Sequence, residues 1–278
     1  MSRVELAAVA RLDLGEVLRS RWLVLCLVIY GLLGAIFVLV GLRESSVIGF
    51  TGVGRVLFSL CHALVLVLPL LALLAMVQAV NRARDDGSLE LFLSHPIGRG
   101  AYLTGVTGVR LAALAIPLLA VMLGLAAESA LVQRQPVPWV FFGRALAVSV
   151  ALLAAYVGVG LATSVLVRNP ARAMTLVFGI WAASVALLDF GGIALLLQWH
   201  VPARVVFLMA GANPVEMARL ALLSSGDPTL ATLGPVGFYL ANQVGLQVLF
   251  ALGVAWPTLV GVGGWLLALR AFRRGDVV

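Results

Sequence analysis

Lysine is absent from this 278-residue chain, and all 19 of its basic residues are arginine. A phosphate-binding loop of the Walker type needs its lysine, so the chain carries none of its own. Charge of either sign is scarce. Only 11% of residues are charged and 62% are hydrophobic, against about 25% and about 45–50% in an average soluble domain. So few charges cannot cover the surface of a soluble protein of this length, which excludes an ordinary globular enzyme and a disordered chain. The two cysteines, Cys26 and Cys61, both fall in apolar runs; neither a disulfide framework nor metal-ligand spacing is present. What remains is a polytopic membrane protein. The 29 glycines and 11 prolines fit it, because bilayer helices tolerate both. The net charge of +7 does not point to nucleic acid, since the arginines sit at the ends of apolar runs and not on one soluble face.

A bilayer helix needs about 20 apolar residues, and six runs qualify: Trp22–Leu42, Val56–Val80, Leu111–Ala127, Ala145–Val167, Ala173–Leu197 and Val244–Leu269. Pro69, Pro117 and Pro257 fall inside three of them. The stretch before the first run is charged, and the run itself is full length with no small-residue cleavage site, unlike a secretory leader. With the N-terminus inside, thirteen arginines fall on inner segments and six on outer ones. Arginine-rich loops stay cytoplasmic, so both termini are expected in the cytoplasm. The predicted fold is all-α: six transmembrane helices, an N-terminal amphipathic helix, and an outer re-entrant helical hairpin before the last span. Residues 1–21 are expected to form the interfacial helix and residues 22–278 the six-helix transmembrane domain, with a cytoplasmic loop at 81–110 and the outer hairpin region at 198–243.

Three segments outside the runs are informative. In Ser2–Arg21, Leu6, Ala10, Leu14 and Val17 share one helical face, while Glu5, Asp13, Glu16 and Arg19 fall elsewhere, the spacing of a helix lying on a membrane surface. In Asn81–Arg110, Asp85-Asp86-Gly87-Ser88 resembles a helix start with acids at the positive end of the dipole. Leu89, Phe92 and Leu93 then form an apolar stripe, and Pro96 ends the helix after two turns. Such an exposed apolar edge predicts a protein partner. In Gln198–Gln243, Val205–Ala210 and Pro214–Leu223 flank Gly211-Ala212-Asn213-Pro214. Asn-Pro is a turn signal, and Pro214 suits the first turn of the second helix.

Catalytic chemistry is thin. Asp189 is the one acid well inside a run; at a helix centre it would cost about 2.5–3.5 kcal/mol, so it either marks the outer surface or faces a pathway or partner helix. Cys61-His62 is the one adjacent pair of soft and borderline metal ligands, and one Cys with one His does not complete a site. No catalytic, cofactor or metal residues are assigned.

The stretch Arg82–Arg110 resembles the hallmark of type-2 ABC transporter permeases: an acidic pair, Gly-Ser-Leu-Glu, a short apolar run, a proline, and a basic residue before the third span. The matching positions are Asp85, Asp86, Gly87, Ser88, Leu89, Glu90, Pro96 and Arg99. Within that family the chain is similar to the NosY-like branch, which serves maturation of the copper centres of nitrous oxide reductase. The likeness rests on Arg19-Ser20-Arg21-Trp22, Ile48-Gly49-Phe50-Thr51, Ser94–Gly100, Asp189, and Ala212-Asn213-Pro214 followed by Ala218-Arg219-Leu220. The family often has an extra acid and a lysine in the loop, where this chain has Arg84 and the uncharged run around Val106.

The resemblance implies a subunit without catalysis of its own in a prokaryotic cytoplasmic membrane. Two copies would pair with two soluble ATPase subunits, with membrane lipids around them and a periplasmic accessory protein outside. The Asp86–His95 helix would dock on the ATPase, helped by the Ser2–Arg21 helix, with Asp85, Asp86, Gly87, Ser88, Leu89, Glu90, Phe92, Leu93, Pro96 and Arg99 as the coupling residues. Asp189, Asn213, Pro214 and Arg219 would line the pathway or the outer hairpin. The alternatives are an exporter permease for a lipid, drug or peptide, an integral membrane enzyme, and a scaffold. A membrane enzyme needs convergent ionisable groups, and the sequence supplies none.

Overall fold

A computed structural model describes residues 3–41, 53–94, 97–131, 134, 136–187, 211–226, 230, 237 and 240–274. Among them every regular element is helical. The elements are α1 (Arg3–Leu18), α2 (Arg21–Gly41), α3 (Val53–Val77), α4 (Ala79–Asp85), α5 (Ser88–Ser94), α6 (Arg99–Leu131), α7 (Trp139–Leu166), α8 (Pro170–Ala182, continued by a π-helical turn, Ala183–Leu187), α9 (Pro214–Gly226) and α10 (Leu246–Arg274).

Among the described residues four helices are long and apolar enough to cross a membrane by themselves: α3 with its continuation in α4, then α6, α7 and α10. The pair α1–α2, bent by 67°, makes a fifth when counted as one span. Six spans were expected. The remaining one, Ala173–Leu197, is described only as far as Leu187, as the shorter apolar helix α8; Asp189 and the first hairpin arm, Val205–Ala210, lie outside the described residues.

The break between α1 and α2 has a local cause. Ser20 Oγ donates to Val17 O at 2.6 Å and accepts from the Leu23 N–H at 3.4 Å. It thereby closes one helix and caps the next, the role for which serine is favoured at an N-cap. Asn169 does the same for α8, its Oδ1 accepting from the Arg172 N–H at 3.0 Å, with Pro170 at the first helical position.

α7 is the axle of the bundle. It is buried along most of its length and packs on α3 and α10, with α9 wedged against α10, α7 and α3. The α7–α10 seam requires residues without side chains. A Cβ on Gly264 would lie 2.6 Å from the Gly158 carbonyl carbon, and one on Gly158 would run into the backbone of Gly261. Small residues let two helices approach this closely when apolar burial gives no preference between protein and lipid. Gly158→Leu is therefore expected to destabilise the fold by about 3 kcal/mol or more, read as a lowered unfolding temperature of the detergent-solubilised protein.

Candidate functional site

The segment Asn81–Arg110, expected to be a loop around one short helix, is nearly all helical. α6 begins at Arg99, well before the expected Leu111, because Ala101, Tyr102, Leu103 and Val106 are all buried among the neighbouring helices. The acidic pair does not simply start a helix. Asp85 ends α4, and Asp86 caps it, its N–H donating to Arg82 O at 2.9 Å. Gly87 follows with φ +69° and its N–H on Arg84 O at 3.1 Å, a left-handed helix stop; α5 starts at Ser88. The result is a tight elbow, α4–Gly87–α5.

Both arms of the elbow are fastened to the bundle. Asn81 is buried and its Nδ2 donates to Val167 O at 2.9 Å. Arg84 donates through Nη1 and Nη2 to Val165 O at 3.4 and 3.3 Å, and the Val80 N–H donates to Ser164 Oγ at 3.0 Å. The carbonyls at the end of α7 lack intrahelical donors, and α4 supplies them. On the other arm Leu89 is fully buried, and the Phe92 ring lies 6.0 Å from that of Tyr102 on α6.

This corrects the expected exposed stripe. Leu89 and Phe92 point into the protein, because only that face of α5 meets α4 and α6. The exposed edge carries Asp85, Asp86, Gly87, Glu90, Leu91 and Ser94, with Leu91 66% exposed. Ser88 is half-buried, its hydroxyl on Ala83 O at 3.3 Å. The side chain of Leu93 and all of His95 and Pro96 lie outside the described residues. Arg99 closes a different joint, donating through Nη1 to Phe272 O at 2.9 Å and Arg273 O at 3.0 Å at the end of α10.

Sequence reasoning missed the polar centre of this end of the bundle. Arg110, 5% exposed, donates to Asp13 Oδ1 from Nε at 3.3 Å and from Nη2 at 3.1 Å, and from Nη1 to Ala75 O at 2.6 Å. Glu16 Oε1 stands 3.8 Å from Nη2. Asp13, expected on the solvent side of α1, is 7% exposed, and with Val9 and Val17 it forms the face that meets α6. Among the described residues Asp13 Oδ2 has no hydrogen-bond partner, and Asp13 lines a cavity of about 180 Å³ between α1 and the elbow together with Arg82, Asp86 and Tyr102. The available signal was a lone arginine opening an apolar run, a position that calls for a named partner.

Far along the chain, Asn213 and Pro214 start α9 as the sequence suggested. Asn213 is buried; its Oδ1 accepts from the Val215 N–H at 3.1 Å and its Nδ2 donates to Ser184 O at 2.6 Å. Arg219 pairs with Glu216 one turn earlier at 3.1 Å. Cys61 is fully buried, and the neighbouring His62 ring donates from Nδ1 to Phe58 O at 3.1 Å if that nitrogen carries the proton. Among the described residues no three His, Cys, Asp or Glu side chains gather as a metal site. The elbow and the Asp13–Glu16 face of α1 meet at the cavity beside Asp13; α9 does not line it.

The family model for ABC-2 family transporter proteins matches residues 7–273. Two curated relatives carry the name "Probable ABC transporter permease protein NosY". One, from Pseudomonas aeruginosa, is 30% identical over 235 residues, covering 80% of this chain and 83% of its own length. The other, from Stutzerimonas stutzeri, is 29% identical over 278 residues, covering 96% and 97%. Bundle and match together define a multi-pass membrane protein of the ABC transporter permease class. The chain belongs to the ABC-2 transporter family and is similar within it to the NosY-like permeases.

Because Asp13 and Arg110 are buried together, removing one strands the other. Arg110→Ala is expected to cost about 3–5 kcal/mol, whereas Arg110→Met combined with Asp13→Leu recovers most of the loss. Chemical unfolding of the two variants beside the wild type in one detergent measures both.

Proposed function

We propose that this chain is the membrane-spanning, non-catalytic subunit of an ABC transporter, driven through the α4–Gly87–α5 elbow by a separate ATPase. The observation that carries the reading is the asymmetry of the elbow. Its inner face is bonded to α7 and packed on α6, while its outer edge offers Asp85, Asp86, Glu90 and Leu91. A push on that edge reaches two helices at once. The lack of any lysine supports placing the phosphate loop on another polypeptide. Two copies of this chain with two ATPases complete the transporter, in the cytoplasmic membrane with both termini inside, as the arginine distribution supports. ATP closure shifts the two permease arrangements only to the extent that it binds one of them more tightly.

The relatives' name supports a finer reading, service to copper-centre maturation of nitrous oxide reductase, with the outer face around α9 meeting cargo or a periplasmic partner. Copper then passes as cargo or is handled by that partner.

Glu90→Arg with Leu91→Asp changes only exposed side chains of the elbow. Co-purification with the ATPase is expected to weaken by about tenfold or more, a loss of about 1.4 kcal/mol of association, with the unfolding temperature unchanged. Complex formation and ATP turnover at wild-type levels would remove the elbow from the docking surface.

A further inference from the structure

A second cleft, of about 480 Å³, lies along the seam where α1 and the first turn of α2 meet α6. Its walls are Leu6, Leu14 and Leu18 on one side and Val109, Ile116 and Pro117 on the other. No charged residue lines it. Its floor is kept low by small residues of α6, Gly108 among them, and the space a Gly108 side chain would occupy is open. The size is that of a small-molecule site, about 300–1,000 Å³, but so apolar a lining fits hydrocarbon and offers nothing to a polar solute.

What fills it is indicated by the charge at the bend. Leu18 and Leu23 line the cleft, and between them in the chain stand Arg19 and Arg21, both exposed. The acids of α1 point elsewhere: Asp13 and Glu16 turn to Arg110, and Glu5 Oε2 accepts from the Gly98 N–H at 3.4 Å. A hydrocarbon slot with two exposed guanidinium groups at one end matches an acyl chain carrying an anionic head group. We propose that the α1–α2–α6 cleft is a binding site for one anionic glycerophospholipid, with an acyl chain between α1 and α6 and the phosphate at Arg19 and Arg21. The bound chain fills the space beside the α1–α6 contact and so braces the helix that carries Asp13. The inference needs the membrane location of the chain and does not rest on the docking role of the elbow.

The test is photo-crosslinking of the full-length protein in vesicles of phosphatidylglycerol and phosphatidylcholine, each lipid in turn bearing a diazirine on its acyl chain, with labelled peptides mapped by mass spectrometry. Phosphatidylglycerol is expected to label residues 6–18 and 104–117 in preference to phosphatidylcholine. Arg19→Gln and Arg21→Gln reduce that preference by about fivefold each. Gly108→Leu removes the labelling, while Gly124→Leu, on the same helix and equally free of neighbours, leaves both labelling and unfolding temperature unchanged. Equal labelling by the two lipids in the wild type, or labelling that survives Gly108→Leu, would each overturn the proposal.

Discussion

The end of the molecule that carries the elbow is organised around one buried cation. Arg110 touches three elements: it pairs with Asp13 on α1, it belongs to α6, and it gives a hydrogen bond to Ala75 O on α3. Ala75 lies in the last turn of α3, where carbonyls have no donor within the helix. The arginine therefore solves two problems together, the carboxylate that α1 buries and the carbonyl that α3 leaves open. A buried guanidinium is tolerated only when its donors are satisfied, so the position of α1 is tied to the point at which α3 stops and α4 begins.

From that anchor the mechanics divide naturally. α7, α9 and α10 form one close-packed body, sealed by the Gly158–Gly261–Gly264 contact. α1 and α6 form a second, held by Arg110 and by apolar packing. The elbow bridges them, with Asn81 and Arg84 on α7 and Phe92 against Tyr102 of α6. A close-packed interior transmits displacement and does not absorb it, so a short element joined to both bodies is well placed to alter the angle between them.

Much of this was legible in the sequence, and the failures have physical reasons. Apolar runs located α2, α3, α6, α7 and α10, because helix length against bilayer thickness is a strong constraint. Asn213-Pro214 marked the start of α9, because cap chemistry is local. The orientation of α5 was not legible. Leu89, Phe92 and Leu93 are apolar on a short helix, and whether such a face meets a partner or its own bundle depends on α6, whose early start at Arg99 the run of small and polar residues before Leu111 concealed. Asp13 was misplaced for a related reason. Its burial makes sense only with Arg110, 97 positions away, and periodicity along one helix carries no information about so distant a partner.

Arg99 has a consequence for how the chain is made. Its guanidinium sits on Phe272 O and Arg273 O, and beside it the Gly98 N–H meets Glu5. α1, the start of α6 and the last turn of α10 thus converge at one joint. During synthesis the earlier helices enter the bilayer long before residue 272 leaves the ribosome, so this joint stays open until α10 has been made. The elbow end is then among the later parts to set, after α10 is in place.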